Sequence, residues 1–478
     1  MAKPNFLLIL TDQQRADTIS CAGNQVVRTP NLDRLCRSGV LFPRAYTPTP
    51  VCVPARMNIL TGQDSCRLGI LENAASIKSP ILTLPSILTE RGYFAQAIGK
   101  MHFRPRRNHY GFPRMLLSEG IPARRVDDDF LLYLKEKGFG HVEEPHGQRQ
   151  ELYYQPQVSV LPQEHHATSW TADRTVDFLA ANRNRPFFCF CSFLKPHPPW
   201  DPPEPFASMY RRENMPLPVR CDADRDPKDS FLLVQDHSKW MDNAPDDLAR
   251  LIKARYYGSV SHIDKNLGKI LDALDAYELR ENTIVIFTSD HGDLLGDHYH
   301  WGKRSYFEGG ARIPFIISWP GQLPQGEVRE EFVTLTDILP TFVETAGAVR
   351  PLGSSGGNIE GMQHTPETLW RDTLWGEYSR GRTAKYMLRT GDWKYIYMVN
   401  GGREQLFNLA DDPNELDDLA GEMPDLCAGF RLQMARHYWE QGFMEALDGG
   451  EMAKLKFERL PLGKQNQQYP VWPKNEPK

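Results

Sequence analysis

No apolar run in this chain approaches the roughly 20 residues that a membrane-crossing helix needs, so nothing in it reads as a membrane partner. The first apolar run, residues 6–10, meets Thr-Asp-Gln-Gln-Arg directly. It lacks the plan of a signal peptide and reads as a buried first strand. A cytoplasmic location is therefore expected, or a periplasmic one if a leader has been removed. The eight cysteines form no paired framework and no C-x-x-C, which excludes a disulfide scaffold and favours reduced thiols. Positive charge is not in surplus either. The formal net charge is −5 and no basic run is interleaved with aromatics, which argues against a nucleic-acid partner. The clusters Arg104-Pro-Arg-Arg107 and Arg124-Arg125 read first as solvated loops, and second as a site for an anionic substrate. Internal repeats are absent.

What is present is ordinary globular composition, 40% hydrophobic and 24% charged over 478 residues, enough for a sizeable core. Buried strands are expected at residues 4–10, 93–98, 186–194, 283–289 and 313–319. Helices are expected at 29–39, 84–91, 170–182, 246–276 and 336–346. Strands alternating with helices predict an α/β fold with a large, mixed, mostly parallel central sheet flanked by helices. Residues 104–160, with a short helix near 129–137, and residues 201–245 read as loop-rich insertions. After a linker near 354–357 the pattern changes. A hairpin at 386–397 turning at Gly391-Asp392, a strand at 405–409 and a helix at 425–441 predict a small α+β subdomain with a short antiparallel sheet. The expected division is 1–368 and 369–478.

Chemistry concentrates at Val51-Cys-Val-Pro-Ala-Arg-Met-Asn-Ile-Leu-Thr-Gly-Gln63. Val51 to Pro54 reads as an extended lead-in, Pro54 as the first turn of a helix and Gly62 as its end. Cys52 would then stand at the mouth of a helix, where free N–H groups favour an anion, with Arg56 one turn on. A lone cysteine usually reads as a small buried hydrophobe. Three further clusters fall at predicted strand ends, where α/β sheets bind ligands: Asp12-Gln13, His197 and Asp290-His291. Oxygen and imidazole donors paired in this way suit a divalent cation, although each pair alone would pass for a turn or a cap.

C-x-P-[SA]-R followed by T-G resembles the maturation motif of the type I, formylglycine-dependent sulfatases of the alkaline phosphatase superfamily. Cys52, Pro54, Ala55, Arg56, Thr61 and Gly62 match it. Gly99-Lys-Met-His-Phe103 resembles that family's G-K-x-H segment, and Lys195-Pro-His-Pro-Pro199 its x-P-H-x-P segment. Residues 289–303 resemble its S-D-H-G…G-D/E-H…K run, in which Asp297 and His298 match as supports and His300 reads as a rim residue. Thr29-Pro-Asn-Leu, Asp337-Ile-Leu-Pro-Thr341 and Leu406-Phe-Asn-Leu are further family-like markers, so the resemblance spans most of the chain.

The resemblance implies conversion of Cys52 to 3-oxoalanine (formylglycine) by a formylglycine-generating or anaerobic sulfatase-maturing enzyme. It implies catalytic roles for Cys52, Arg56, Lys100, His102, His197 and Lys303, and a metal held by Asp12, Gln13, Cys52, Asp290 and His291. Gln13 and His291 replace an aspartate and an asparagine of the commonest family form. Calcium is the first expectation, with manganese or zinc less excluded than usual. The expected reaction is hydrolysis of a sulfate monoester, of a carbohydrate first and of an aryl or choline-type alcohol next. A phosphonate monoester or phosphodiester hydrolase is the alternative, and a non-catalytic binding protein on the same fold the remote one. Homo-oligomerisation is left open.

Overall fold

The computed structural model describes residues 3–77, 80–362 and 370–463. Its strands, in chain order, are β1 Asn5–Asp12, β2 Val40–Leu41, β3 Ala45–Tyr46, β4 Phe94–Gly99, β5 Arg114–Leu117, β6 Phe187–Pro196 and β7 Thr283–Ser289. They continue with β8 Phe315–Ser318, β9 Glu327–Val328, β10 Val333–Thr334, β11 Thr373–Tyr378, β12 Lys385–Thr390, β13 Trp393–Met398 and β14 Arg403–Asn408. Eight of these form one sheet in the order β5-β4-β6-β1-β7-β8-β2-β9. The pairings from β5 to β7 are all parallel, and β8 alone runs against its neighbours. The expected mixed, mostly parallel sheet is the one found.

Every residue of β1, β6 and β7 is buried, because helices cover both faces of a parallel sheet. Side chains of a strand alternate between the faces, so β1 serves two cores. Phe6, Leu8 and Leu10 join one with the helices Cys52–Thr61, Leu84–Glu90 and Ile338–Thr345. Leu7 and Ile9 join the other with helices Ala167–Asn182 and Asp246–Ala276.

Parallel pairing also decides where the chemistry falls. β4, β6, β1 and β7 are neighbours running the same way, so their carboxyl ends share one edge. That edge carries Lys100, His197, Asp12 and Asp290, residues nearly 280 positions apart. The turn at the end of β4 is tight: Gly99 has φ +97°, and a Cβ there would lie 2.0 Å from the Ser192 carbonyl oxygen. Gly99→Ala is therefore expected to destabilise the fold by about 2–4 kcal/mol, measured by urea denaturation, and to displace Lys100.

The second sheet is antiparallel, in the order β11-β12-β13-β14. One face packs under helix Pro424–Glu440 through Tyr386, Leu388, Tyr395, Phe430 and Tyr438. The other packs on the large sheet's loops through Met387, Ile396, Phe407, Phe307 and Val51. Lys394 lies at this junction, 2.7 Å from Glu415 and 2.6 Å from Glu308, and donates to the Tyr306 carbonyl at 2.8 Å. The boundary expected at 368/369 lies outside the described residues.

Several local readings change. The helix expected from Pro54 begins at Cys52, with Val51 as its cap. Proline in a first turn removes only an N–H that has no helical partner, so it tolerates helical residues before it. The region 104–160 is not wholly an insertion, because it supplies edge strand β5. Residues 201–245 hold a helix, Ser230–Ser238, that the proline-rich surroundings concealed. Cys21 Sγ lies 2.6 Å from Cys36 Sγ with both thiols unbonded, a juxtaposition the spacing did not signal.

Candidate active site

Cys52 opens its helix with no exposed surface, and Gly62 closes it in the left-handed conformation at φ 64°. The Asn73 side chain holds the start of this helix, its Oδ1 accepting from the Val53 N–H at 3.0 Å. Around the Cys52 sulfur stand Lys303 Nζ at 3.1 Å, His291 Nε2 at 3.3 Å and Asp12 Oδ1 at 3.9 Å. Arg56 lies behind, fully buried. Its Nε bonds Asp290 at 3.0 Å, its Nη2 bonds Asp12 at 3.1 Å, and its Nη1 donates to Ser192 Oγ at 3.0 Å. Lys100 Nζ is 2.5 Å from Asp12, and His197 Nε2 is 4.0 Å from it.

Charge, not contact area, dominates this cluster. Burial pushes the Asp12 carboxyl up, but Lys100, His197, Lys303 and Arg56 prevail and hold it well below the usual range. Asp290 goes the other way, raised by burial and by facing Asp12. Burial and Asp12 push the Cys52 thiol up, yet Lys303, Lys100 and His291 together hold it well below the ordinary thiol range. Burial, then Lys100 and Lys303, push His197 well down, so its ring is neutral. Its Nδ1 donates to the Pro198 carbonyl at 2.6 Å, which leaves Nε2 unprotonated. Lys303 is raised, since Cys52 and Asp12 outweigh its burial, and stays charged.

Asp12, Cys52, Asp290 and His291 bring four donor atoms within 4.8 Å of one another, all buried. Two carboxylates facing each other out of water, with a sulfur and an imidazole beside them, fit a divalent cation that would relieve their repulsion. Gln13, also expected among these donors, is fully buried at the same strand end. Its Oε1 accepts from Lys303 at 2.9 Å, its backbone N–H donates to Asp290 at 3.1 Å, and its amide nitrogen donates to Asp293.

The sequence model of the sulfatase family matches residues 4–348. The chain belongs to the sulfatase family. A second model, described as the C-terminal part of N-sulphoglucosamine sulphohydrolase, matches residues 296–436. An arylsulfatase of Clostridium perfringens is 34% identical over 87% of this chain and 90% of its own length. A choline-sulfatase of Rhizobium meliloti is 29% identical over 93% and 88%. Among solved structures, a phosphonate monoester hydrolase of Agrobacterium radiobacter superposes with TM-score 0.81 at 25% identity, over 92% of this chain and 96% of its own. The protein is thus a sulfuric ester hydrolase of the alkaline phosphatase-like superfamily.

In this sulfatase a cavity of about 470 Å³ opens onto Cys52, Lys100, His102, His197 and Lys303, five of the six residues expected to be catalytic; Arg56 backs it. The His102 backbone is held by Glu119 at 2.9 Å, and its Nδ1 is buried with no hydrogen-bond partner among the described residues. Both insertions read from the sequence line the cavity, through Arg104, Arg149, Phe231 and Lys239 among others.

Several residues of the sulfatase site escaped the sequence reading. Asp293 accepts from the N–H groups of Leu295 and Gly302 at 2.9 and 2.8 Å, shaping the loop that delivers Lys303. It lay inside the recognised S-D-H-G run and could have been singled out. Asn73, Glu119, Ser192 and Tyr153 had no signal of their own. Asp297 supports as expected, 2.7 Å from Arg15. His300 is not a rim residue: it is 2% exposed, with Nδ1 2.6 Å from Asp236.

Burial lowers the Lys239 ammonium to about 7, even though Asp236 and Asp293 oppose the shift. Between about pH 7 and the ordinary lysine range near 10.4, the unfolded chain binds the extra proton, so this group makes stability rise with pH. The stability gap between wild type and Lys239→Met is accordingly expected to shrink from pH 7 to pH 9.5 in urea titrations. An unchanged gap would remove the buried ammonium as its cause.

Proposed function

We propose that this sulfatase hydrolyses a carbohydrate sulfate monoester through a formylglycine made from Cys52. The observation that carries the reading is the set of fixed positive charges around residue 52: Lys303 at 3.1 Å from its sulfur, with Lys100 and Arg56 gathered on Asp12. Sulfuryl transfer concentrates negative charge on the non-bridging and leaving oxygens, and preorganised cations in a dry site stabilise that charge most.

Asp12, Asp290, His291 and residue 52 would hold the cation, with calcium as the first candidate and manganese or zinc after it; Gln13 stands next to them. Such a cation lowers the pKa of a coordinated hydroxyl and neutralises developing charge. Hydrated formylglycine offers one hydroxyl to attack sulfur and a second whose deprotonation expels sulfate. The remaining work belongs to unmodified side chains. His102 lies on the cavity wall with a buried, unpartnered nitrogen suited to receive the proton of the second hydroxyl. Lys303 stays protonated and can supply the leaving alcohol. His197, unprotonated at Nε2, brings no proton to that oxygen in the resting enzyme and can accept a hydrogen bond from the alcohol once Lys303 has protonated it.

The closeness of the fold to a phosphonate monoester hydrolase supports a second reading, hydrolysis of phosphonate monoesters or phosphodiesters by the same machinery. Two measurements decide. Mass spectrometry of the tryptic peptide 45–56 from active protein is expected to give the aldehyde mass at Cys52, and an intact thiol in active protein would overturn the mechanism. Turnover of a sulfate monoester is expected to exceed that of the matching phosphonate monoester, and the reverse order would establish the second reading.

A further inference from the structure

The cavity holds more positive charge than one sulfate group can use. Beyond Lys100 and Lys303, its wall carries Arg104, Arg106, Arg107, Arg149 and Arg304, against only two carboxylates, Glu119 and Asp127. Both carboxylates are already engaged. Glu119 accepts from the N–H groups of Met101 and His102 at 3.1 and 2.9 Å. Asp127 pairs with Arg124 at 2.8 Å, and Arg107 donates to its backbone carbonyl.

Arg104 and Arg106, two positions apart, both line this cavity. Arg104 is fastened by its Nε to the Asn73 carbonyl at 3.3 Å, and Asn73 in turn holds the Val53 N–H beside Cys52. Arg106 is exposed and makes no ion pair among the described residues. Burial and then the neighbouring Arg106 lower the Arg104 guanidinium, and Glu119 opposes the shift without cancelling it. Such an arrangement costs stability in the free enzyme and is relieved when an anion sits between the two guanidinium groups, which bind carboxylate and sulfate through paired N–H groups. Tyr153, Tyr154 and Phe231 give the same cavity ring faces against which a sugar or aryl ring can lie.

We propose that Arg104 and Arg106 form a second anion subsite, and that the preferred sulfate esters of this enzyme carry a second sulfate or a carboxylate on the alcohol that is released. This deepens the sulfatase reading and rests on it for the place of the scissile group. It converts the cluster Arg104-Pro-Arg-Arg107 from a solvated loop into a substrate-selecting one.

The test separates binding from reaction. The Cys52→Ala variant is titrated by calorimetry with three phenyl sulfates that differ only at the meta position: a carboxylate, a second sulfate and a carboxamide. The better of the two dianions is expected to bind about tenfold or more tighter than the carboxamide, and it identifies the second group. In Cys52→Ala/Arg104→Gln/Arg106→Gln that ratio is expected to fall to about 1. A ratio near 1 before the arginines are changed, a ratio that survives their loss, or no measurable binding of either dianion overturns the subsite. Turnover of the carboxamide compound by matured wild-type enzyme is measured alongside. It reports on the sulfatase reaction alone, so failure of the reaction and failure of the subsite give different results.

Discussion

Replacing Cys52 by alanine is expected to lower sulfate-ester turnover by roughly four orders of magnitude or more, assayed with 4-nitrophenyl sulfate. The size follows from position. Residue 52 is where the helix mouth, Lys303, His291 and Asp12 converge, so its truncation removes the group that those charges surround. Cys52→Ser is the sharper comparison. Made in a host that lacks a sulfatase-maturing enzyme, it restores a hydroxyl that stays unoxidised, so it lacks the second hydroxyl that expels sulfate, and turnover is expected to stop after one sulfate per enzyme. Neither variant should unfold. Each changes one small side chain, and Lys303 keeps its contact with Gln13 at 2.9 Å, so urea midpoints should stay within about 1 kcal/mol of wild type. Wild-type-like turnover by Cys52→Ala, or multiple turnover by unoxidised Cys52→Ser, would refute the formylglycine route.

Asp12→Ala is expected to be the most damaging substitution for the fold as well as for turnover. Asp12 is fully buried and is the carboxylate on which Arg56 and Lys100, both also buried, converge. Removing one member of a buried ion pair leaves its partners uncompensated, at about 3–5 kcal/mol. The same residue is one of the four donors of the cation cluster. A chelator is therefore expected to lower the unfolding midpoint of the wild type, and restoring the cation at 100 times its dissociation constant to return about 3 kcal/mol. In Asp12→Ala the chelator should have almost no effect on the midpoint. A wild-type midpoint unmoved by chelation and re-addition would refute the cation site, whatever happens to activity.

Much of this was legible in the sequence because the informative residues sit in local runs. Strands β1, β6 and β7 announced themselves as short, continuous apolar stretches bounded by polar turns. The glycine at position 62 announced the end of the Cys52 helix. The residues expected to act could be named because each lies within a few positions of such a landmark. What was not legible was either irregular or relational. Helix Ser230–Ser238 is a short piece without a distinct apolar face inside a proline-rich stretch, and β5 is a four-residue edge strand with partly exposed side chains. Asn73, Glu119 and Ser192 act through hydrogen bonds to residues 20, 17 and 136 positions away, and spacing along a chain carries no record of such pairs.

By itself the sequence determined the class of fold and the family and singled out Cys52 as the candidate nucleophile, because these depend on hydrophobic period and on a motif confined to a dozen residues. Only the tertiary structure decided which charges share a site. Asp12, Lys100, His197 and Asp290 meet because four parallel strands end on one edge, an arrangement fixed by pairing order and not by proximity in the chain. The protonation states of His197, Lys303 and Lys239 were decided there too, since each follows from burial and from neighbours far away in sequence. So was the placing of Arg104 and Arg106 on one cavity wall, because the loop that carries them folds over the carboxyl edge of the sheet.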